Sequence, residues 1–232
     1  MTPESAPAIR IPRDTFASIV TDRLRTSIVN GSLKPGSQLS EAELANSFGV
    51  SRGPVREALQ RLVQEGLLLS EPHRGVFIPV LTDDDVLDIY LAREALESAA
   101  VRTIVANDNS AAASRALDQY VTQMERAEAA GDWESVGNFD VEFHVALVDA
   151  SGSQRLRRMF STVISETRLC LGVLTAADGR SDLVQEHRQV CDLMQEGEIE
   201  KALAVLKKHF DDAVLTLSNR QDRSRTTAVQ RR

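Results

Sequence analysis

The sequence predicts a mostly α-helical protein in two parts: a small winged head of three helices, then an antiparallel all-α bundle of six or seven helices. Three observations lead there. Aromatic residues make up only 4% of the 232 while Ala and Leu abound, which favours packed helices over a β-sandwich. Apolar residues recur three and four apart through almost the whole second part. Short strand-like runs occur together, at Leu67-Leu-Leu69 and Val76-Phe-Ile78. The apolar fraction of 42% is ample for a core in each part.

Residues 1–12 hold three prolines and little periodicity and read as a flexible arm. The first domain spans 13–80. Phe16, Ile19, Val20, Leu24 and Ile28 define its first helix, which Asn30-Gly31 stops. Leu33-Lys-Pro-Gly-Ser-Gln-Leu39 is a turn held by Pro35 and Gly36. Ser40 opens the second helix with Glu43 three residues on, the pattern of a capping box, and Leu44, Ala45 and Phe48 form its apolar side. Gly49-Val50 then turns the chain into Ser51-Arg-Gly-Pro-Val-Arg-Glu-Ala-Leu-Gln-Arg-Leu62. Val55, Ala58, Leu59 and Leu62 mark the buried face of this third helix, Ser51 is a good N-cap residue, and Gly66 ends it. Two helices joined by a glycine turn make a helix-turn-helix. The hairpin that follows, with Ser70-Glu-Pro-His-Arg-Gly75 between its strands, makes a wing.

The exposed face of the third helix carries Arg52, Arg56 and Gln60, each four residues from the next and therefore stacked. A short helix with a cationic N-terminal half and an apolar back suits the DNA major groove. Ser51, Arg52, Arg56 and Gln60, with His73, Arg74 and Gly75 at the wing tip, are the candidate DNA contacts, the wing reaching backbone or minor groove. The competing assignment is a solvated face with an internal Arg56–Gln60 or Arg52–Glu57 contact. Net charge does not decide between them. Of the overall −7, residues 1–80 contribute +1, from nine Lys+Arg against eight Asp+Glu, and residues 81–232 contribute −8, from eighteen against twenty-six. Local arginine placement has to carry the argument.

Leu39-Ser-Glu-Ala-Glu-Leu-Ala, Phe48-Gly-Val-Ser-Arg-Gly-Pro-Val-Arg-Glu-Ala-Leu59, Glu65-Gly-Leu and Arg74-Gly-Val-Phe77 together resemble the winged helix-turn-helix of the GntR family of bacterial transcription regulators. The match covers roughly residues 15–80 and includes Gly31-Ser-Leu-Lys-Pro-Gly36. The resemblance implies a homodimer that binds double-stranded operator DNA of two-fold symmetry. Several relatives place an Arg on the helix before the turn; Glu41-Ala-Glu43 here has none, so base preference does not carry over.

Pro79 to Thr82 is the expected domain junction, and the second domain spans 82–218. Thr82-Asp-Asp-Asp85 caps a helix running to about Ala106. Further helices follow at about Ala111–Ala130, Trp133–Ala150, Gln154–Leu174, Asp182–Gln195 and Ile199–Ser218, with an Ala-Ala-Asp-Gly-Arg loop after the fourth. Residues 219–232 are polar and basic and read as a flexible tail, either inert or adding weak phosphate contacts through Arg220, Arg223, Arg225, Arg231 and Arg232.

The informative residues of this domain are polar ones on apolar faces. Val136, Phe139, Phe143 and Leu147 define a buried stripe, and Asp140 and His144 fall on it, one turn apart. His187 sits among Leu183, Val184, Val190, Cys191 and Met194, and His209 among Ala202, Leu206, Ala213 and Leu217. A single inward His is ordinarily a hydrogen-bonded core residue. Burying four such groups without compensation would cost several kcal/mol, and one divalent cation compensates all of them. Three imidazoles and a carboxylate suit Zn, Ni, Mn or Fe and leave room for water or an anion. Arg93 falls on the inner face defined by Val86, Ile89, Tyr90, Leu96, Ala100 and Ile104 and needs an anion: an internal carboxylate such as Glu97 or Asp140, or that of a ligand. Arg168, beside the Ile164–Leu171 stripe, is a second candidate for effector binding.

Tyr90-Leu-Ala-Arg-Glu-Ala-Leu-Glu97, Asp140-Val-Glu-Phe-His144, Glu186-His187 and Lys208-His209 resemble the FCD ligand-binding domain of the FadR-like branch of that family, over roughly residues 82–218. The resemblance implies that Asp140, His144, His187 and His209 bind the metal and that a small carboxylic-acid effector reaches it. Ser151-Gly-Ser-Gln154 departs from the usual Ser-Gly-Asn. The reading as a whole is an effector-controlled transcriptional regulator, expected to repress, with population shift between dimer arrangements as its mechanism. The rival is a metal-dependent hydrolase using the Asp/His3 site, against which stands the lack of a general base at a spacing such as His-Glu-x-x-His. Cys170 and Cys191 show no paired spacing and suggest free thiols in a reducing compartment. No segment looks like a signal peptide or membrane span, so a cytoplasmic location and no membrane partner are expected.

Overall fold

The computed structural model describes residues 15–171 and 182–230, with side chains described as far as residue 219. The expected arm at 1–12 lies outside the described residues. The first domain contains α1 (Phe16–Val29), β1 (Gln38–Leu39), α2 (Glu41–Phe48), α3 (Arg52–Gln64), β2 (Leu69–Glu71) and β3 (Gly75–Phe77). The apolar stripes read from the sequence meet in one core, in which Leu24, Val55, Leu59, Leu62 and Leu67 are buried together. Ser40 accepts a hydrogen bond from the Glu43 N–H at 3.4 Å, which is one half of the expected capping box. Ser51 takes the N-cap position of α3 without a side-chain cap hydrogen bond, so its hydroxyl is left at the exposed start of that helix.

The wing is a three-stranded antiparallel sheet in the order β1-β3-β2. β1 lies inside the stretch expected to be only a turn. It pairs Gln38 with Phe77 and Leu39 with Val76, while Ser70 faces Val76 from the other side. Gly75 is demanded by this arrangement. Its φ is +110°, and a Cβ there would stand 2.9 Å from Nε2 of Gln38, which donates to the Arg74 carbonyl at 2.6 Å.

The second domain is six helices among the described residues: α4 (Asp83–Ala106), α5 (Ser110–Ala129), α6 (Trp133–Ala150), α7 (Gln154–Leu171), α8 (Leu183–Glu196) and α9 (Ile199–Gln230). Thr82 and Asp85 form a full capping box, the Asp85 carboxylate accepting from the Thr82 N–H at 2.7 Å. The Ala-Ala-Asp-Gly-Arg loop after α7 falls outside the described residues. The last helix does not stop near Ser218 but continues to Gln230 through the segment read as a flexible tail. Neither Gly nor Pro occurs between Ile199 and Gln230 to end it.

The two domains touch along α7. Leu169 packs against the core of the first domain. At Gly66, just past α3, a Cβ would come within 3.1–3.3 Å of Glu166 and Thr162 side-chain atoms, and its φ is +78°. The end of the reading helix therefore rests directly on the bundle.

Candidate metal centre and nucleic-acid interface

The centre of the bundle is built from α4, α6, α8 and α9. Asp140 and His144 project from α6 one turn apart, His187 comes from α8 and His209 from α9, and all four are buried. Their ligating atoms converge. Nε2 of His144 lies 3.3 Å from Nε2 of both His187 and His209. Asp140 Oδ1 stands 3.1 Å from His187 Nε2 and 3.8 Å from the other two. These separations are those of a coordination polyhedron: nitrogens about 2.0–2.1 Å from a tetrahedral ion stand about 3.4 Å apart.

The other ring nitrogens show why the convergence suits a cation. His144 Nδ1 meets Glu97 Oε2 at 2.5 Å, His187 Nδ1 meets the Leu183 carbonyl at 2.8 Å, and His209 Nδ1 meets Glu186 Oε2 at 3.1 Å. Carboxylate and carbonyl oxygens only accept, so each Nδ1 carries the proton and a neutral ring turns its Nε2 lone pair inward. Three lone pairs and the Asp140 carboxylate then face one another. Asp140 Oδ1 makes no hydrogen bond despite its proximity to His187, whose Nε2 carries no proton to donate in this tautomer. A buried carboxylate oxygen without a donor and lone pairs at 3.3 Å are what a bound cation resolves, so the residues fit a metal. Burial, the largest influence, opposes charge on His144, but Glu97 and Asp140 together raise the ring's pKa; a proton and a cation compete for the same Nε2. Burial would likewise raise Asp140, but His144 and His187 hold it well below the usual carboxylate range.

Arg93 lies beside this cluster with 1% exposure. Its Nε donates to Glu97 Oε1 at 3.0 Å, and its guanidinium lies 4.8 Å from the Phe210 ring centre and 5.1 Å from that of Tyr90. Nη2 has no hydrogen-bond partner. The internal carboxylate weighed from the sequence is thus Glu97, and one donor edge stays open. A cleft lined by Tyr90, Asp140, Leu171, Leu183, His209 and Thr216 leads to the centre. Arg93 is not among its lining residues, and neither is Arg168. Its position on α7 is near the buried stripe, yet its long stem carries the guanidinium outward to Glu142 Oε1 at 2.9 Å. Glu97 was weighed from the sequence only as a partner of Arg93, so its contact with His144 and the contact of Glu186 with His209 are what periodicity passed over. The available signal was a carboxylate one turn after the inward Arg93 and another beside His187. Asp182, Glu186 and Asp212 form a second acidic cluster, closed by the Lys208 ammonium at 3.4, 2.6 and 2.7 Å.

On the first domain, Ser51, Arg52, Arg56 and Gln60 share the exposed face of α3, and His73, Arg74 and Gly75 are exposed at the wing tip. His73 adopts a left-handed φ of +63°, which brings the tip around tightly. Arg74 pairs with Glu71 and lies 5.4 Å from the Phe77 ring centre. Arg56 is not bonded to Gln60; it makes a two-pronged contact across the helix-turn-helix with Glu41, at 2.9 Å from Nε and 2.8 Å from Nη2. This contact holds the Glu41 carboxyl below its ordinary pKa. Both groups of candidate DNA contacts face solvent on one domain, while the candidate ligand set is enclosed in the other.

Residues 16–78 match the model of the gntR family of bacterial regulatory proteins, and residues 88–212 match the FCD domain. The uncharacterized HTH-type transcriptional regulator YdhC of Bacillus subtilis (strain 168) is 31% identical over 192 residues, 82% of this chain and 85% of the relative. The "Probable D-xylose utilization operon transcriptional repressor" of Paenarthrobacter nicotinovorans is 30% identical over 200 residues, 86% of this chain and 88% of the relative. A crystal structure of a GntR transcriptional regulator from Rhodococcus sp. RHA1 superposes with a TM-score of 0.73 at 28% identity, covering 87% of this chain and 96% of that one.

Proposed function

The chain belongs to the GntR family of bacterial transcriptional regulators and carries an FCD domain in its second half; from that premise we propose that it is a homodimeric repressor of a two-fold symmetric operator, controlled by a small carboxylic acid bound at or near a divalent transition metal. The observation that carries the reading is the convergence of three Nε2 atoms and Asp140 Oδ1 within a buried centre. Zn, Ni, Mn and Fe all accept such a set, which would supply an open coordination position for an anion. The open Nη2 of Arg93 offers that anion a second donor. Repression is carried over from the Paenarthrobacter relative, the "Probable D-xylose utilization operon transcriptional repressor". The homologues are regulators, so the hydrolase alternative is set aside.

Support for a dimer comes from exposed apolar residues on two adjacent helices, Leu87 and Leu91 on α4 and Met159 on α7. A single head offers few cations to phosphates, so two held in register are required for tight binding. Among the described residues no helix is long and apolar enough to cross a membrane, which fits action in the cytoplasm.

Selection from a random DNA pool should return a symmetric site, and Arg52→Ala should weaken binding to it at least tenfold, as loss of one good base contact would. A panel of carboxylic acids screened on the zinc-loaded protein should shift operator affinity. If the active acid shifts it equally in His187→Ala, the metal has no part in control and the reading fails.

A further inference from the structure

We propose that Glu97 is the positioning residue of the metal centre, setting the tautomer of His144, and that Arg93 enforces this role by excluding any other group at position 97. The inference rests on the reading of Asp140, His144, His187 and His209 as metal ligands. Glu97 has no exposed surface and divides its two oxygens: Oε2 takes His144 Nδ1 at 2.5 Å and Oε1 takes Arg93 Nε at 3.0 Å. Both neighbours are donors on this side, and both are buried and packed. Arg93 is fixed against the Tyr90 and Phe210 rings, and His144 packs edge-on to Phe143 at 5.5 Å between ring centres.

Only a carboxylate accepts from both sides. Glutamine has the same shape but one acceptor and one amino group. Turned one way, its amino group faces the Arg93 N–H, donor against donor. Turned the other way, it donates to His144 Nδ1, the ring proton moves to Nε2, and the lone pair aimed at the metal is lost. Arg93 thereby selects the second orientation, the one that disables the ligand.

Glu186 offers an internal contrast. It accepts from His209 Nδ1 at 3.1 Å and from Lys208 Nζ at 2.6 Å. Lys208 is on the surface and already reaches Asp212 at 2.7 Å, so it can release position 186. A glutamine there can turn its oxygen to His209 and its amino group toward the Asp182 and Asp212 carboxylates, which have oxygens within 4.8 Å of Glu186. The same substitution therefore has different consequences at the two positions.

The test uses the full-length protein, zinc(II) titrated against a chromophoric chelator, and cobalt(II) spectra. Glu97→Gln should lower zinc affinity about 10- to 100-fold and shift the cobalt d–d bands, whereas Glu186→Gln should lower it only a few-fold. The double variant Arg93→Met/Glu97→Gln frees the amide to accept from His144 and should return zinc affinity to within about tenfold of wild type. That recovery is one a merely structural role would not produce. If Glu97→Gln does not fold, the double variant is judged alone against wild type, retention of zinc supporting the proposal and loss overturning it. Glu97→Gln binding zinc as tightly as wild type would also overturn it. His144→Ala reads the underlying assignment separately: undiminished zinc binding there would remove the metal centre itself.

Discussion

Each domain pairs an arginine with a glutamate, and the two pairs have opposite settings. Arg56 meets Glu41 at the surface, with side chains 61% and 35% exposed; Arg93 meets Glu97 in the bundle interior, at 1% and 0%. Water screens the first pair and leaves part of the Arg56 fork free for a polyanion arriving from outside. The second pair is unscreened, each charge depends on the other, and the unsatisfied donor it retains can serve only what enters the bundle. The chemistry is the same. Burial alone leaves one facing solvent and encloses the other beside the candidate metal centre.

Removing one member of each pair gives the widest expected separation. Arg93→Ala leaves Glu97 buried without its cation and should cost about 3–5 kcal/mol of unfolding free energy in urea titrations. Glu41→Gln should leave stability unchanged and instead free the charge of Arg56, steepening the salt dependence of DNA binding. Equal effects on stability would abolish the distinction. A purely apolar lesion in the first domain comes next: Leu62→Ala, at a site with no exposure, should cost about 2–5 kcal/mol. DNA binding should be lost in that variant while zinc binding by the second domain persists.

Gly66→Ala probes the seam between the domains. Its left-handed φ and the crowding by Glu166 and Thr162 predict a loss of about 1–3 kcal/mol. DNA binding should become less responsive to the state of the bundle, measured as operator affinity with and without zinc. The smallest effect concerns Glu166 itself. Burial, then Asp85 and Asp88, raises its carboxyl pKa, so the fold favours the protonated form. The resulting destabilisation sets in as pH rises above the ordinary glutamate value and is complete once pH passes the raised one. Glu166→Gln should therefore melt slightly higher than wild type at neutral pH, and the two curves should converge as the pH falls.

Much of this was legible in one dimension because helical periodicity labels faces. The stripe through Val55, Ala58, Leu59 and Leu62 placed Arg52 and Arg56 outward, and the stripes on α6, α8 and α9 placed Asp140, His144, His187 and His209 inward. Periodicity was less informative where a side chain is long. Arg168 lies near a buried face and still reaches the surface, because its stem can lie along apolar neighbours while its head meets Glu142. Ser51 has the residue type of a cap, yet its hydroxyl forms no cap bond.

The sequence by itself determined the two-domain helical organisation, the wing, the outward arginines and the inward Asp/His set, since each follows from local spacing and turn chemistry. Tertiary structure alone decided that Arg56 meets Glu41, that Glu97 joins Arg93 to His144 across 47 positions, and that α7 seats Gly66 of the reading domain. The physical reason is that a repeat of 3.6 residues specifies the direction of a side chain about its own helix. Which atom of a distant helix lies opposite is set by packing angles and helix offsets, which no local spacing encodes.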